Sequence, residues 1–326
     1  KKTDMNTFLN FLFASVKAGT PLLFGTTGEI VTEKAGNTNL GVEGMMFMGA
    51  FMGFFVACYT DSLILALLAA FALGVFGALI YAYITVSLRA NQVVTGLALT
   101  IFGSGLANFF GQLMIANYKT ANGGAIPKLS ERMTAILAEK PIPLLSQIPF
   151  AGKVLFSHNI LVYLAVIIAV LCRFYMKRTR LGLDMRAVGE NAAAADASGI
   201  NVTKVKYINI LFGGGICGLG GAYISLIDGG GVWNNNCVSG KGWIAVALVI
   251  FAAWKPTMAI LGSLVFGAFT VLQFYVPKSV IAIPNAFYTM LPYLITAIVL
   301  VVTSMRKSNK VMQPKGCGVN YFRESR

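Results

Sequence analysis

Charge is scarce in this 326-residue chain: Asp, Glu, Lys and Arg make up 12 % of it, about half the ~25 % usual in soluble proteins. A soluble domain of this size needs more polar cover than that over its exterior. Histidine occurs once, at His158, and the five cysteines (58, 172, 217, 237 and 317) are too scattered to build a zinc site with it. Cys58, Cys172 and Cys217 lie in or near apolar runs and read as small packing residues. No HExxH motif and no nucleophile–base pair stands out, which argues against an enzyme within the membrane. A phosphate loop is also missing. The nearest approach, NNNCVSGKG at 234–242, has Asn235 in place of the first glycine and Gly242 where Ser or Thr should follow Lys241. Nor is a cleavable leader expected, because the first apolar run, from Phe8, carries Lys17 and continues past any cleavage site.

What the chain has instead is apolar mass. Hydrophobic residues reach 56 %, phenylalanine alone fills 23 positions, and mean hydropathy is +0.72. Lipid is therefore the solvent for most of it. Crossings need about 20 helical residues for a ~30 Å hydrocarbon core. Uncharged runs that qualify or nearly so are 62–87, 92–118, 159–172, 207–227, 242–254, 256–276 and 280–305, with less regular candidates at 8–27 and 40–59. The run 62–87 would be about 39 Å long as a helix. The short run 242–254 suits a half-span or re-entrant helix. The expectation is one all-α polytopic membrane domain over 1–326, with about eight to ten transmembrane helices, some broken or re-entrant.

The formal net charge of +14 gathers in short stretches beside the apolar runs, a membrane pattern rather than a nucleic-acid one. Residues 173–206 hold seven Lys or Arg and the tail 306–326 holds six; four spans separate them, so both share a side, with Arg89. The positive-inside bias makes that side cytoplasmic and turns the loop 119–158 outward. Three prolines in its PIPLLSQIPFAG stretch predict an ordered, extended segment. The side of the N-terminus stays open, since it depends on whether 25–60 hides a further span.

Three stretches are candidates for function. In 189–199 (GENAAAADASG), Asn191 can cap a short helix over 192–198 and Gly199 suits the left-handed residue that ends it. Its surface is nearly bare of large side chains, a shape for insertion into a groove on another protein, or else a solvated loop helix without a partner. In 92–112, polar or small residues recur every four positions, and Ser104, Asn108 and Gln112 share one face of about 80°. That row is either a lining for a polar ligand or a helix–helix seam. In NTNLGVEG at 37–44, Asn37, Asn39 and Glu43 interrupt an apolar region, as in a broken helix lining a cavity. Glu43 is either functional or a structural group that hydrogen-bonds the glycine-broken backbone. Six glycines in 212–221 (FGGGICGLGG) read as a surface for close helix packing.

The segment MRAVGENAAAADASGINVTKVK resembles the cytoplasmic coupling loop of ABC-importer permeases, in the family that handles simple sugars, nucleosides and branched-chain amino acids. GEIVTEKAGNTNLGVEGMMFMGA, RANQVVTGLALT and the tail GVNYFRE are most similar to its nucleoside branch, and the resemblance runs from about residue 20 to the end. It implies a type II importer-like fold, with Arg186, Gly189, Glu190, Asn191, Ala195 and Gly199 at the coupling loop; the polar groups at membrane depth, Asn37, Asn39, Glu43, Asn108 and Gln112, are the candidate substrate pathway on their own chemistry. It further implies one or two ATPase partners, a second permease chain (in the nucleoside branch usually a paralogue) and a substrate-binding lipoprotein. ATP would be bound by the partner, and no cofactor by this chain. Simple sugars are the alternative cargo. A self-sufficient secondary transporter is the rival of another class, for which Glu43 is the one serious coupling group.

Overall fold

The computed structural model describes residues 2–143, 145–148, 150–275, 284–305 and 313–325. Part of the apolar run 280–305 and the basic residues Arg306, Lys307 and Lys310 lie outside them. Seven helices are long and apolar enough to cross a membrane: α1 (Lys2–Lys34), α2 (Val42–Thr60), α3 (Leu63–Ala82, ending in a π-helical turn Tyr83–Ser87), α4 (Gln92–Ala121), α7 (Ile160–Arg178), α10 (Val202–Tyr223, extended by a π turn Ile224–Asp228) and α12 (Pro256–Tyr275). Between them come the short helices α5 (Glu131–Leu137), α6 (Ala151–Leu155), α8 (Arg180–Glu190) and α9 (Ala192–Ala197). The short apolar helix α11 (Lys241–Phe251) and α13 (Asn285–Met305), whose apolar stretch is Ala286–Ile298, complete a set of nine apolar segments among the described residues.

Helix starts follow side-chain caps that satisfy otherwise orphaned N–H groups. Asn91 accepts from Val94 N at 3.0 Å, Asn159 from Leu161 N at 3.1 Å, and Asn201 from Lys204 N at 2.9 Å. α10 and α2 are the most buried spans, and α10 packs on α1, α2 and α3. The glycine run makes this possible. A methyl group at Gly49 or Gly74 would strike the backbone of α10 at Gly218 or Gly214, and one at Gly221 would strike Met46. The packing reading of 212–221 therefore holds, as backbones approach closely without a hydrophobic drive between helices. α3, α4, α7 and α12 turn large apolar side chains outward, among them Ile64, Ile101, Phe174 and Phe274.

The two ends of the bundle are distinct. Lys17 pairs with Glu139 at 2.5 Å and Lys153 donates to Asn10 at 2.6 Å, so the start of α1 lies with the 119–158 segment. At the other end Gly316 N donates to Gly189 O at 2.8 Å and Asn320 to Ala90 O at 3.1 Å, which joins the tail, the 173–206 stretch and Arg89. α1 therefore runs from the 119–158 end to the 173–206 end.

Two local expectations need correcting. The described residues of PIPLLSQIPFAG are not extended: Ser146 N donates to Ile142 O at 3.0 Å, beside the 3-10 turn Leu145–Gln147. The polar stretch GEIVTEKAGNTN at 28–39, expected to separate the candidate spans 8–27 and 40–59, does so only in its second half. GEIVTEK is the last part of α1, where Glu29 and Glu33 are buried with partners of their own.

Candidate functional site

After α10, residues 229–240 start at the 119–158 end, where Leu129 N donates to Gly231 O at 2.9 Å. They then descend into the bundle. Trp233 packs against Phe51 and Phe54, and Asn236 exchanges two hydrogen bonds with the Asn108 amide, at 2.8 and 3.1 Å. Cys237, a half-buried free thiol, lies on the same descent. The descent ends at Gly240, with φ +82°, and α11 begins. At 11 residues α11 is about 16 Å long, half a bilayer core.

The N-terminus of this half-helix is held by Glu43, from the first turn of α2. The Glu43 carboxylate accepts from Gly240 N at 2.7 Å, Gly242 N at 2.9 Å and Trp243 N at 3.3 Å. No side chain of α11 itself supplies a cap. A carboxylate opposite three N–H groups and the positive end of a helix is a favourable pairing. The geometry gives Glu43 the structural role of holding a glycine-rich backbone, across helices. Beside it, α1, α11, α12 and α13 enclose a cavity of about 170 Å³ that Ser239, Thr270, Gln273 and Tyr293 line. Nearer the 119–158 end, α1, α5 and Gly231 bound a wider cavity of about 960 Å³.

The other end of α11 is tied as firmly. The Trp254 indole N–H donates to the Glu33 carboxylate, and the Cys317 thiol to Glu33 O at 3.0 Å. Residues 35–41 between α1 and α2 are buried apart from the half-buried Thr38 and Leu40, and four side chains from three helices, α1, α3 and α4, take up their backbone groups. Asn39 N donates to Glu29 at 2.9 Å, Thr38 N to Gln92 at 2.8 Å, Tyr81 to Thr38 O at 2.6 Å, and Thr100 to Leu40 O at 2.9 Å. Asn39 accepts from Gly41 N at 2.9 Å, whereas the buried Asn37 amide finds no partner among the described residues. Asn37 and Asn39 thus sit in this linker, while Glu43 and Asn108 meet the re-entrant segment. Gln112 lies exposed on α4, Asn108 is half-buried, and the half-buried Ser104 bonds back to Ile101 O. Glu29, Glu33 and Trp254 escaped the sequence reading; the i, i+4 spacing of the two glutamates beside apolar neighbours was the available sign.

At the 173–206 end, α9 has the expected caps. Asn191 accepts from Ala194 N at 3.0 Å, and Gly199 takes φ +85°. Ala195 turns inward, 4 % exposed, so the free face is carried by Ala194, Ala197 and Ser198. Arg186 and Glu190 are exposed on α8, while Gly189 packs under the end of α1, where a methyl group would strike Lys34 O. The tail locks α9 in place: Tyr321 donates to Asp196 at 2.7 Å, and Arg323 lies 3.4 Å from the same carboxylate.

Comparison with known proteins agrees with this architecture. The family described as branched-chain amino acid transport system permease component matches residues 11–302. A putative glucose ABC transporter permease protein of Haloferax volcanii is 36 % identical over 84 % of this chain and 80 % of its own length. The nucleoside ABC transporter permease protein of Lactococcus lactis is 34 % identical over 93 % of this chain and 94 % of its own, and the guanosine ABC transporter permease protein of Bacillus subtilis 32 % identical over 96 % of each. No solved structure matches.

Proposed function

The chain belongs to the permease-component family of branched-chain amino acid transport systems and is a multi-pass ABC permease subunit, and from that premise we propose that it carries nucleosides by alternating access, driven by ATP hydrolysis in separate subunits. The relatives named for nucleosides and guanosine align over nearly the whole chain, which supports this cargo. The exposed Gln112 amide offers the paired donor and acceptor that a base or ribose needs, and Asn108 would join it once its pair with Asn236 opens. The relative named for glucose favours simple sugars as the second reading.

The observation that carries the mechanism is a continuous set of contacts from α9 to α11. α9 is seated on the chain through Ala195, and the adjoining Gly189 packs on Lys34 at the end of α1. Glu33 on the last turn of α1 holds Trp254, and the far end of α11 rests on Glu43. Closure of ATPase subunits against the free face of α9 moves α8 and the end of α1. That displacement tilts α11 and reshapes the cavity beside Gly240. In this reading the 173–206 end and the tail face the cytoplasm, where the basic residues are densest. The complete transporter contains a second permease chain, a paralogue of this one, and a lipoprotein that delivers substrate to the 119–158 end.

The test is uptake in proteoliposomes. The assembled complex should concentrate labelled guanosine or adenosine in an ATP-dependent manner, with unlabelled glucose failing to compete; competition by glucose moves the cargo to sugars. The lone chain should show no concentrative uptake. Robust uptake by it under an ion gradient refutes the ATP-driven mechanism.

A further inference from the structure

A second polar cavity, of about 600 Å³, opens at the 173–206 end between the π turn of α3, Arg89, the exit of α9, the start of α10 and the tail. Its charged lining is lopsided. Arg89, Lys204, Lys206 and Arg323 face a single acid, Asp196, whose carboxylate already accepts from Tyr321 and sits beside Arg323. Lys206 is 4 % exposed and has no hydrogen bond or ion pair among the described residues. An ammonium group on so deeply buried a side chain is costly without a counter-charge and is normally paired; here it opens onto the cavity. Cys317 does not supply the charge, because burial pushes its thiol up and keeps it protonated. The first turn of the 22-residue α10, capped by Asn201, adds its positive helix end to the same space. The volume lies in the range of small-molecule sites, ~300–1,000 Å³. One carboxylate side chain from a partner protein would leave most of it vacant.

We propose that this cavity binds a phosphate-bearing anion, with Lys206 at its floor and Lys204, Arg89 and Arg323 around the rim. Two sources share that chemistry: the headgroup of an anionic phospholipid at the membrane surface, and a free phosphate or nucleotide from solution. Since Arg323 also contacts Asp196 on α9, the bound anion sits against the strap that positions the coupling helix.

The test uses the full chain purified in neutral detergent and in nanodiscs. One arm compares retention of phosphatidylglycerol with that of phosphatidylcholine by native mass spectrometry. The other measures binding of inorganic phosphate and of AMP at constant ionic strength. At least one arm should show saturable binding that weakens about tenfold or more in Lys206→Met and in Lys204→Ala/Arg323→Ala, as expected for a lost charge-assisted bond. Lys177→Ala, exposed at the end of α7 and outside the cavity, should bind as wild type. The responding arm identifies the source. Without anion, Lys206→Met should be at least as heat-stable as wild type, since it keeps the length and removes an unpaired charge. A lower midpoint, no binding of any probe, or equal binding by Lys206→Met overturns the proposal. So does loss of ATPase co-purification in Lys206→Met without a change in phosphate binding, which would assign the cavity to an acidic side chain of a partner.

Discussion

Replacing Glu43 with leucine should unseat the half-helix α11. The carboxylate takes three backbone N–H groups, from Gly240, Gly242 and Trp243, at a site that is nearly closed to solvent. A buried donor left without an acceptor costs ~1–3 kcal/mol, so the leucine variant should lose about that much at Gly242 and a smaller amount at each of the half-buried Gly240 and Trp243. Lost interaction with the positive helix end adds ~0.3–1 kcal/mol. Domains hold together by only ~5–15 kcal/mol, so this variant should unfold locally or misassemble. Glu43→Gln keeps one acceptor oxygen. With that oxygen on the side of Gly242 and Trp243 it retains two bonds and loses only the one from the half-buried Gly240, at that smaller cost.

The assay is thermal unfolding of the purified chain in nanodiscs, read by tryptophan fluorescence, since Trp233, Trp243 and Trp254 surround the affected segment. Midpoints should fall in the order wild type, Gln, Leu, with uptake falling in parallel. A coupling acid would behave differently: the glutamine variant would keep the wild-type midpoint and lose transport completely. Either that result or a leucine variant as stable as wild type refutes the capping argument.

Trp254→Phe removes the indole donor to Glu33, and should cost ~1–3 kcal/mol and lower the number of substrate molecules moved per ATP hydrolysed; unchanged stoichiometry would break the proposed contact path. On α9, Ala197→Trp should fold normally but lose ATPase co-purification, whereas Ala195→Trp should overpack the chain by ~1–3 kcal/mol or more; equal behaviour of the two in pull-down and thermal melts would refute the two-faced reading. Asn108→Ala and Asn236→Ala should show non-additive losses in midpoint, while Gln112→Leu should leave the midpoint within ~0.5 kcal/mol of wild type; additive losses would dissolve the amide pair. His158 stacks on Phe13 and bonds Val154 O, and burial lowers its pKa from the usual ~6.5, so the folded chain resists protonation. Its contribution is present above ~6.5 and is lost as pH falls through that value toward the folded pKa. His158→Phe should flatten that acid-side fall in melting midpoint, and an unchanged pH profile would contradict it.

The fold was largely legible because each cue was local. Nine apolar segments, the cap at Asn191 and the glycine seam of α10 each follow from a short window of residues and one local rule. The short run at 242–254 was readable as a half-span for the same reason: it lacks the length to cross. The true extent of α1 was not readable, since polar residues in GEIVTEK look like a break until their partners are known. Those partners, Asn39 and Trp254, lie 10 and 221 positions from the glutamates they satisfy.

The site shows the same limit more sharply. Glu43 was visible as a costly group at membrane depth, but its role was set by N–H groups nearly 200 residues away. Asn108 stood in a polar row whose members have different partners: Ser104 bonds its own helix, Asn108 pairs with Asn236, and Gln112 is exposed. A period of four on one helix gives direction without naming the neighbour. Ala195 failed in the complementary way. Small residues on both faces of α9 leave no amphipathic mark, so the choice of inward face fell to the tail, through Tyr321 and Arg323 on Asp196. In a membrane protein of few charges, the polar groups that matter are buried against one another, and the packing that decides their roles is written in long-range contacts rather than in any single segment.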